Sequence, residues 1–238
     1  MENTEIFINN FRLDGRKSNE IRPQLIKMGI IKDSRGSCLY TVGETKILAW
    51  INGPKESMKM RNTIENEGVV KCNFSIASFA DLKRKADYKR NLQMREFSLT
   101  LKEVFEEVIN WRFYKRSEVE INVIVLQNDG SYKSSSINAV TLALINAGIL
   151  IKDTIIGISI GLIDDKYIVD LCYDEEKLKC PIMNCAYLPS FKKFVFLEMS
   201  NSVVDYKYSE ELLKQAEQTG EIVYNEIKDY LKNEYLKY

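Results

Sequence analysis

A hydroxyl-rich turn with one lysine lies near the middle of the chain, immediately before an apolar helix. It reads NDGSYKSSS over residues 128–136. The Asp-Gly pair predicts the turn, and Ser131, Lys133 and Ser134 follow at the start of the helix. Backbone N–H groups, hydroxyls and an ammonium that converge there could hold a phosphate. Serine and aspartate are also the commonest N-caps, and residue chemistry alone favours helix capping as the interpretation.

A second candidate is an acidic cluster that follows a predicted strand. The stretch VDLCYDEEKLKCPIMN, residues 169–184, contains Asp170, Asp174, Glu175 and Glu176. Paired carboxylates can hold a magnesium ion that stabilises a leaving phosphate. A solvated acidic loop is the alternative, and the spacing alone favours that alternative.

A third candidate is a basic run between residues 83 and 95, joined by Lys55, Lys59 and Arg61 in an earlier loop. Lysines and arginines clustered on loops can follow a nucleic-acid backbone without reading its base sequence. Without a partner, such a run is more often a solvated face.

Composition excludes several kinds of chemistry. Histidine is absent, so Ser-His-Asp, Cys-His and histidine-ligated metal sites are excluded. The five cysteines are odd in number and form no C-x-x-C pair, so we expect neither a disulfide framework nor a zinc site. Basic and acidic residues both number 34, so any nucleic-acid contact must come from a local patch. No apolar run spans a bilayer and no leader opens the chain, so we expect an intracellular protein without a membrane partner.

These candidates need elements to position them, and hydrophobic periodicity predicts an α+β fold with helices packed on sheets. Two strands meet in a hairpin at Gly43-Glu44, and Gly53-Pro54 ends the second of them. We expect a left-handed cap at Gly148 and a hairpin turn at residues 164–165. Strands are predicted at 24–31, 37–42, 46–51, 67–76, 118–126, 155–163, 167–171, 183–188 and 194–199, and helices at 91–111, 134–147 and 209–238.

Four ordered blocks, at residues 11–23, 36–56, 125–149 and 157–171, resemble the ribonuclease PH family. The resemblance covers almost the whole chain. Within that family, the chain is most similar to eukaryotic core subunits of the RNA exosome. It implies a ribonuclease PH-like fold. One domain, residues 1–238, would have two pseudo-symmetric β/α halves, approximately 1–150 and 151–238, each with a sheet backed by helices. It also implies a heterodimer with another ribonuclease PH-like subunit inside a six-membered ring.

The resemblance also implies functional roles for the candidate sites. In phosphorolytic relatives the matching turn binds inorganic phosphate, which is the attacking nucleophile. The family's arginine in that turn corresponds to Lys133, and an ammonium cannot make the two-pronged grip of a guanidinium. A further arginine pair corresponds to Leu92 and Gln93. Two aspartates about six residues apart correspond to Glu176 and Ile182, and an aliphatic side chain cannot coordinate a cation. We therefore predict an inactive homologue with no metal and no cofactor.

The predicted function is a non-catalytic subunit of the exosome core ring, located in the nucleus, nucleolus and cytoplasm. The ring would thread single-stranded RNA from 3′ to 5′ toward a separate hydrolytic nuclease, together with cap subunits. One alternative is an active phosphorolytic exoribonuclease that uses Lys133 for phosphate and Glu176 with Asp170 or Asp174 for a metal. Another is a protein-only scaffold in the same ring. The predicted RNA-binding residues are Lys59, Arg61, Lys85, Lys89, Arg90 and Arg95.

Overall fold

Two β-sheets and four helices of four or more residues make up the described part of the chain, so the predicted α+β class is confirmed. The computed structural model describes residues 11–56, 68–81, 87–163, 166–178, 180–201 and 206–235. The elements are β1 Gln24–Met28, β2 Gly36–Val42, β3 Thr45–Glu56, β4 Val69–Ile76, α1 Asp87–Val108, β5 Ser117–Gln127, α2 Tyr132–Asn146, β6 Ile156–Ile163, β7 Lys166–Val169, α3 Tyr173–Glu176, β8 Ile182–Leu188, β9 Lys193–Ser200 and α4 Tyr206–Tyr235.

The first sheet has five strands in the order β1-β2-β3-β5-β4, with β4 and β5 parallel and joined through α1. Its hairpin turns at Gly43-Glu44 as predicted, because Val42 pairs with Thr45 and Gly43 has a φ of 55°. The predicted end of β3 at Gly53-Pro54 is wrong. A register shift between Asn52 and Lys55 absorbs the proline, which has no N–H to donate, and pairing with β5 resumes.

The second sheet has four strands in the order β7-β6-β8-β9, and all of its pairings are antiparallel. In the β8–β9 pair, Ile182 lies opposite Ser200 and Asn184 lies opposite Glu198. Directly opposite residues share a face of a sheet, as do residues two apart, so these four side chains project from the same face. The predicted turn at residues 164–165 lies outside the described residues.

Helix α2 joins the two sheets through the core. Every residue from Ser134 to Leu144 is buried, as its continuous apolar sequence predicts, and the helix packs on strands of both sheets. Its close approach to β6 requires Gly157, because a Cβ there would lie 2.2 Å from the Ser134 carbonyl oxygen. The helix ends at Asn146, and the predicted left-handed cap follows at Gly148, whose φ is 69°. One hydrophobic cluster consequently includes residues from both sheets.

The two longer outer helices each bury one stripe. In α1 the buried residues are Phe97, Leu101, Val104, Phe105 and Val108, which recur at the spacing expected of one helix face. In α4 the buried apolar residues are Leu212, Ala216, Val223 and Ile227, and the helix packs on β6 and β8. Within the described ranges, no helix is long and apolar enough to cross a membrane.

Candidate functional site

The Asp-Gly turn before α2 is pressed against the segment that follows β7. A Cβ on Gly130 would lie 2.4 Å from the Leu171 carbonyl oxygen, and the φ of this glycine is 86°. Ser131 follows in the left-handed region at a φ of 52°, and its hydroxyl donates to the same Leu171 carbonyl at 2.9 Å. The hydroxyl-rich turn and the acidic segment therefore form one site, although they are 40 residues apart in sequence.

A buried arginine, Arg22, holds these two segments together. Its guanidinium donates to both carboxylate oxygens of Asp170, at 2.8 and 2.7 Å, and to the Asp129 carbonyl at 2.7 Å. Burial alone would raise the pKa of Asp170, but the hydrogen bonds and charge of Arg22, with the charge of Arg16, lower it below its ordinary value. Asp170 is therefore an ionised structural partner of Arg22.

The acidic cluster predicted from the sequence is divided among several partners. Glu175 is 1% exposed and pairs with Arg12, which is fully buried, so this carboxylate is also structural. Asp174 is exposed and pairs with Lys177 at 2.6 Å. The Glu176 side chain instead lines a polar cleft. Three side chains of the cluster are thus committed to arginines or to a surface lysine.

A polar cleft of about 330 Å³ opens at the N-terminus of α2. It brings together the first turn of α2, the end of α3, the beginning of β8 and the end of β9. The sequence-predicted positions Ser131, Lys133, Glu176 and Ile182 all lie in it. The lining residues are Gln93, Ser131, Tyr132, Lys133, Glu176, Ile182, Asn184, Ser200 and Asn201.

Carboxylates bind the two anion-attracting groups of this cleft. The Ser131 N–H donates to Glu176 Oε1 at 2.7 Å, and Lys133 Nζ donates to both oxygens of Glu198 at 2.6 and 2.7 Å. The serine hydroxyls have other acceptors, because Ser134 Oγ donates to the Ser131 carbonyl at 3.0 Å. Ser131 does not cap α2 through its own side chain, and Glu176 instead accepts from the backbone N–H of this N-cap residue.

The acidic side chains near this site are dispersed, and no described residue that lines the cleft is a cysteine. Among the residues that the structure describes, no group of three or more Cys, Asp or Glu side chains could hold a metal ion. The acids of the alternative metal site do not converge, because Asp170 pairs with Arg22 and Asp174 pairs with Lys177, whereas Glu176 lines the cleft. Burial raises the pKa of the Cys38, Cys72 and Cys185 thiols to about 12, which leaves them protonated and weakly nucleophilic.

The predicted RNA-binding residues lie mostly beyond what the structure describes. Lys59, Arg61 and Lys85 are outside the described residues. Lys89 and Arg90 belong to the first turn of α1, where the backbone alone is described. Arg95 follows on the same helix and is exposed. On this helix Gln93, one of the two positions aligned with an arginine pair of the family, reaches the cleft.

Sequence reasoning missed Arg22 and Glu198. Arg22 contacts residues 107 to 149 positions away, so no local pattern points to them. Glu198 lies on β9 in a strand of alternating exposure, and its neighbours Leu197 and Met199 face outward. Strand alternation signals which face Glu198 occupies, but only the packing of α2 on the second sheet brings that face to Lys133.

Two family models match consecutive parts of the chain. Residues 20–150 match domain 1 of the 3′ exoribonuclease family named RNase_PH, and residues 153–221 match domain 2 of the same family. Together the matches cover most of the chain, and they include every residue of the cleft.

The prediction that the chain is not an enzyme is wrong, because the chain matches a family of exoribonucleases. The family is described as one of 3′ exoribonucleases, and none of the relatives to which the chain is compared is described as an inactive form. The prediction rested on departures from the family pattern at Lys133, at Leu92 and Gln93, and at Ile182. The polar side chains of a folded site come from several elements, and here Asn184, Glu198 and Ser200 share the face of Ile182.

Named relatives and solved structures agree with the family match. The chain is 29% identical to the exosome complex component Rrp41 of Pyrobaculum islandicum over 231 residues, 97% of this chain and 94% of that protein. It is 32% identical to the exosome complex component RRP41 of Mus musculus over 211 residues, 88% of this chain and 86% of that protein. The predicted resemblance to the family and to exosome subunits is therefore confirmed.

The fold has close structural counterparts as well. The crystal structure of Rrp46 from rice, Oryza sativa, superposes with a TM-score of 0.79 at 20% identity, covering 92% of this chain and 100% of that one. The Archaeoglobus fulgidus exosome with RNA bound to the active site superposes with a TM-score of 0.79 at 19% identity, covering 92% and 93%. The predicted ribonuclease PH-like fold is confirmed, and the chain belongs to the 3′ exoribonuclease family of ribonuclease PH.

Proposed function

We propose that the chain is a phosphate-dependent 3′ exoribonuclease subunit of an exosome core ring. The cleft at the N-terminus of α2 is the main support for this proposal, because Lys133, the first turn of the helix and Glu176 all line it. The cleft lies within a chain of the 3′ exoribonuclease family, at the turn that the family resemblance assigns to phosphate. Relatives of the chain are named exosome components, and one protein with this fold is an archaeal exosome with RNA bound to the active site.

The proposed reaction is phosphorolysis of the last nucleotide of an RNA. An oxygen of inorganic phosphate bonds to the phosphorus of the 3′-terminal phosphodiester, and the bond from that phosphorus to the 3′-oxygen of the preceding ribose breaks. The freed 3′-oxygen takes a proton. The products are a nucleoside diphosphate and an RNA that is one nucleotide shorter.

The residues of the cleft supply positioning and charge for this reaction. The first N–H groups of an α-helix have no acceptor within the helix, so they can bind an anion at the start of α2. Lys133 adds a full positive charge beside them, but its ammonium is a point charge rather than a planar fork. We therefore expect weaker phosphate binding than an arginine would provide at this position.

The ring assembly and its partners belong to the same proposal. We expect another ribonuclease PH-like subunit beside this chain, with cap subunits and a hydrolytic nuclease in the complete particle, in the nucleus, nucleolus and cytoplasm. Single-stranded RNA would meet the basic side of α1, where Arg95 is exposed. The outward face of β9, an edge strand, exposes Leu197 and Met199, which suits a protein neighbour.

The test is a nucleotide-release assay on the chain alone and on its assembled ring. A labelled single-stranded RNA is incubated with inorganic phosphate, and the released nucleotides are separated as mono- or diphosphates. We expect nucleoside diphosphates that require phosphate and that fall about 100-fold with Lys133→Ala, the usual cost of removing one electrostatic contact to reacting oxygens.

A lysine outside the cleft provides the control. Lys152 also pairs with a glutamate, Glu107, and does not line the cleft. Lys152→Ala should leave the rate unchanged. Diphosphate release that persists in Lys133→Ala, or a wild-type ring that releases no diphosphate, would contradict the proposed function.

A further inference from the structure

The ammonium of Lys133 is bound on two sides in this structure. Glu198 accepts from it through both carboxylate oxygens, at 2.6 and 2.7 Å, and the side chains are 23% and 34% exposed. The Phe97 ring lies 5.8 Å from Lys133 Nζ. A partly buried, doubly hydrogen-bonded ion pair is stronger than an ordinary surface pair.

The fold places Glu198 there through strand register. Glu198 lies opposite Asn184, which lines the cleft, and both project from the face that receives the first turn of α2. A carboxylate on this face is consequently aimed at the same ammonium that a phosphate in the cleft would use. The two anions would compete for one positive charge.

We propose that Glu198 sets the affinity of the cleft for phosphate groups by competing with them for Lys133. The proposal rests on the proposed function, which puts phosphate at the α2 N-terminus. A phosphate that enters must share or replace the Glu198 bonds, and it also meets the negative charge of that carboxylate at close range. Glu198 thus lowers the affinity of the cleft for every phosphate group that binds through Lys133, so a ligand needs further contacts to bind tightly.

The experiment measures phosphate binding directly, without turnover. Inorganic phosphate is titrated calorimetrically into the wild-type chain, Glu198→Gln, Lys133→Ala and the double variant, and a short RNA is titrated separately without phosphate. Glutamine keeps the shape of Glu198 and can still accept a hydrogen bond from Lys133. We expect Glu198→Gln to bind phosphate about tenfold more tightly, the effect of removing one close charge.

The double variant tests whether the gain passes through Lys133. Adding Glu198→Gln to Lys133→Ala should strengthen phosphate binding clearly less than Glu198→Gln does in the wild-type chain, because only the direct repulsion by the carboxylate then remains. An equal gain in both backgrounds would overturn competition for Lys133. Glu120→Gln is the matched control, since Glu120 pairs with Lys55 at 2.8 Å and does not line the cleft. Glu198→Ala, checked by circular dichroism, repeats the test if the glutamine variant folds poorly.

The outcomes separate this inference from the proposed function. If Lys133→Ala weakens phosphate binding but Glu198→Gln strengthens the binding of neither phosphate nor RNA, the inference fails and the proposed function stands. If no form binds phosphate, the phosphate site itself fails, and the inference fails with it. A gain for inorganic phosphate identifies the free anion as the competitor of Glu198, whereas a gain for RNA alone identifies the phosphodiester, and either supports the inference.

Discussion

At the scale of single residues, the acidic side chains of one short segment perform different tasks. Asp170 and Glu175 neutralise buried arginines, whereas Glu176 caps α2 within the cleft. The sequence shows four acids in seven positions and cannot tell them apart, because the partners lie more than 100 residues away for two of them. Ile182 misled the sequence-based prediction because Glu198 and Ser200, which share its face of the sheet, come from the neighbouring strand β9.

The pair formed by Asp170 and Arg22 yields a stability prediction. Asp170→Asn removes the closer carboxylate from the buried Arg22 guanidinium and leaves the partly exposed Asp129 at 3.3 Å, and breaking such a buried pair costs about 3–5 kcal/mol. We expect the free energy of unfolding in urea to fall by about this amount. Asp174→Asn is the matched control, because Asp174 is exposed and its ion-pair partner, Lys177, is a surface lysine. Equal stabilities of the two variants would contradict the structural role of Asp170.

The same aspartate makes stability depend on acid. Its pKa is lowered from the ordinary value of 3.8 in the folded chain, so its contribution is complete above pH 3.8 and is lost as the pH falls through the folded-state pKa. We expect the wild-type unfolding free energy, measured in urea between about pH 5 and pH 2, to fall more steeply than that of Asp170→Asn. Parallel curves would show that Asp170 does not titrate differently on folding.

At the scale of elements, the position of the turn before α2 decides where the site lies. Sequence patterns predict α2 within two residues at its start and one at its end, and they predict the turn itself. They do not predict that the turn lies against the segment after β7, because that contact depends on how α2 packs between two sheets. The close approach at Gly130 is therefore the feature that unites the two candidate sites.

A pair of glycine substitutions tests that close approach. Gly130→Ala introduces a left-handed alanine and a Cβ 2.4 Å from a carbonyl oxygen, whereas Gly148→Ala introduces a left-handed alanine with nothing within 4 Å. We expect Gly148→Ala to cost about 1 kcal/mol from backbone conformation alone. Gly130→Ala should cost at least about 2 kcal/mol, since the clash adds to the same strain. Chemical denaturation of both variants measures the difference, and equal costs would show that the turn can move away.

At the scale of the whole molecule, one hydrophobic cluster runs through α2 and includes residues of both sheets. Such a shared core predicts that the two sheets unfold together rather than one after the other. Tryptophan fluorescence can report the unfolding of the part of the chain that precedes α2, because both tryptophans, Trp50 and Trp111, belong to that part.

A substitution in the second sheet should therefore be detected by these two tryptophans, which lie outside that sheet. Ile160 is fully buried in β6, and Ile160→Ala should lower the unfolding free energy by about 2–5 kcal/mol through loss of packing. We expect the transition monitored by tryptophan fluorescence to shift together with the transition monitored by far-UV circular dichroism. A fluorescence midpoint that stays at the wild-type value would show that the two sheets unfold independently.

Sequence patterns were enough to establish the α+β class, the strands of both sheets and the family, because these depend on local hydrophobic periodicity and on ordered motifs such as NDGSYKSSS. They also identified Ser131, Lys133, Glu176 and Ile182, which the structure brings into one cleft. The tertiary structure alone decided which acids are buried partners of arginines and which carboxylates bind Lys133 and the Ser131 N–H. Charge interactions act through space between elements far apart in the chain, so their pairing follows from packing and not from spacing in the sequence.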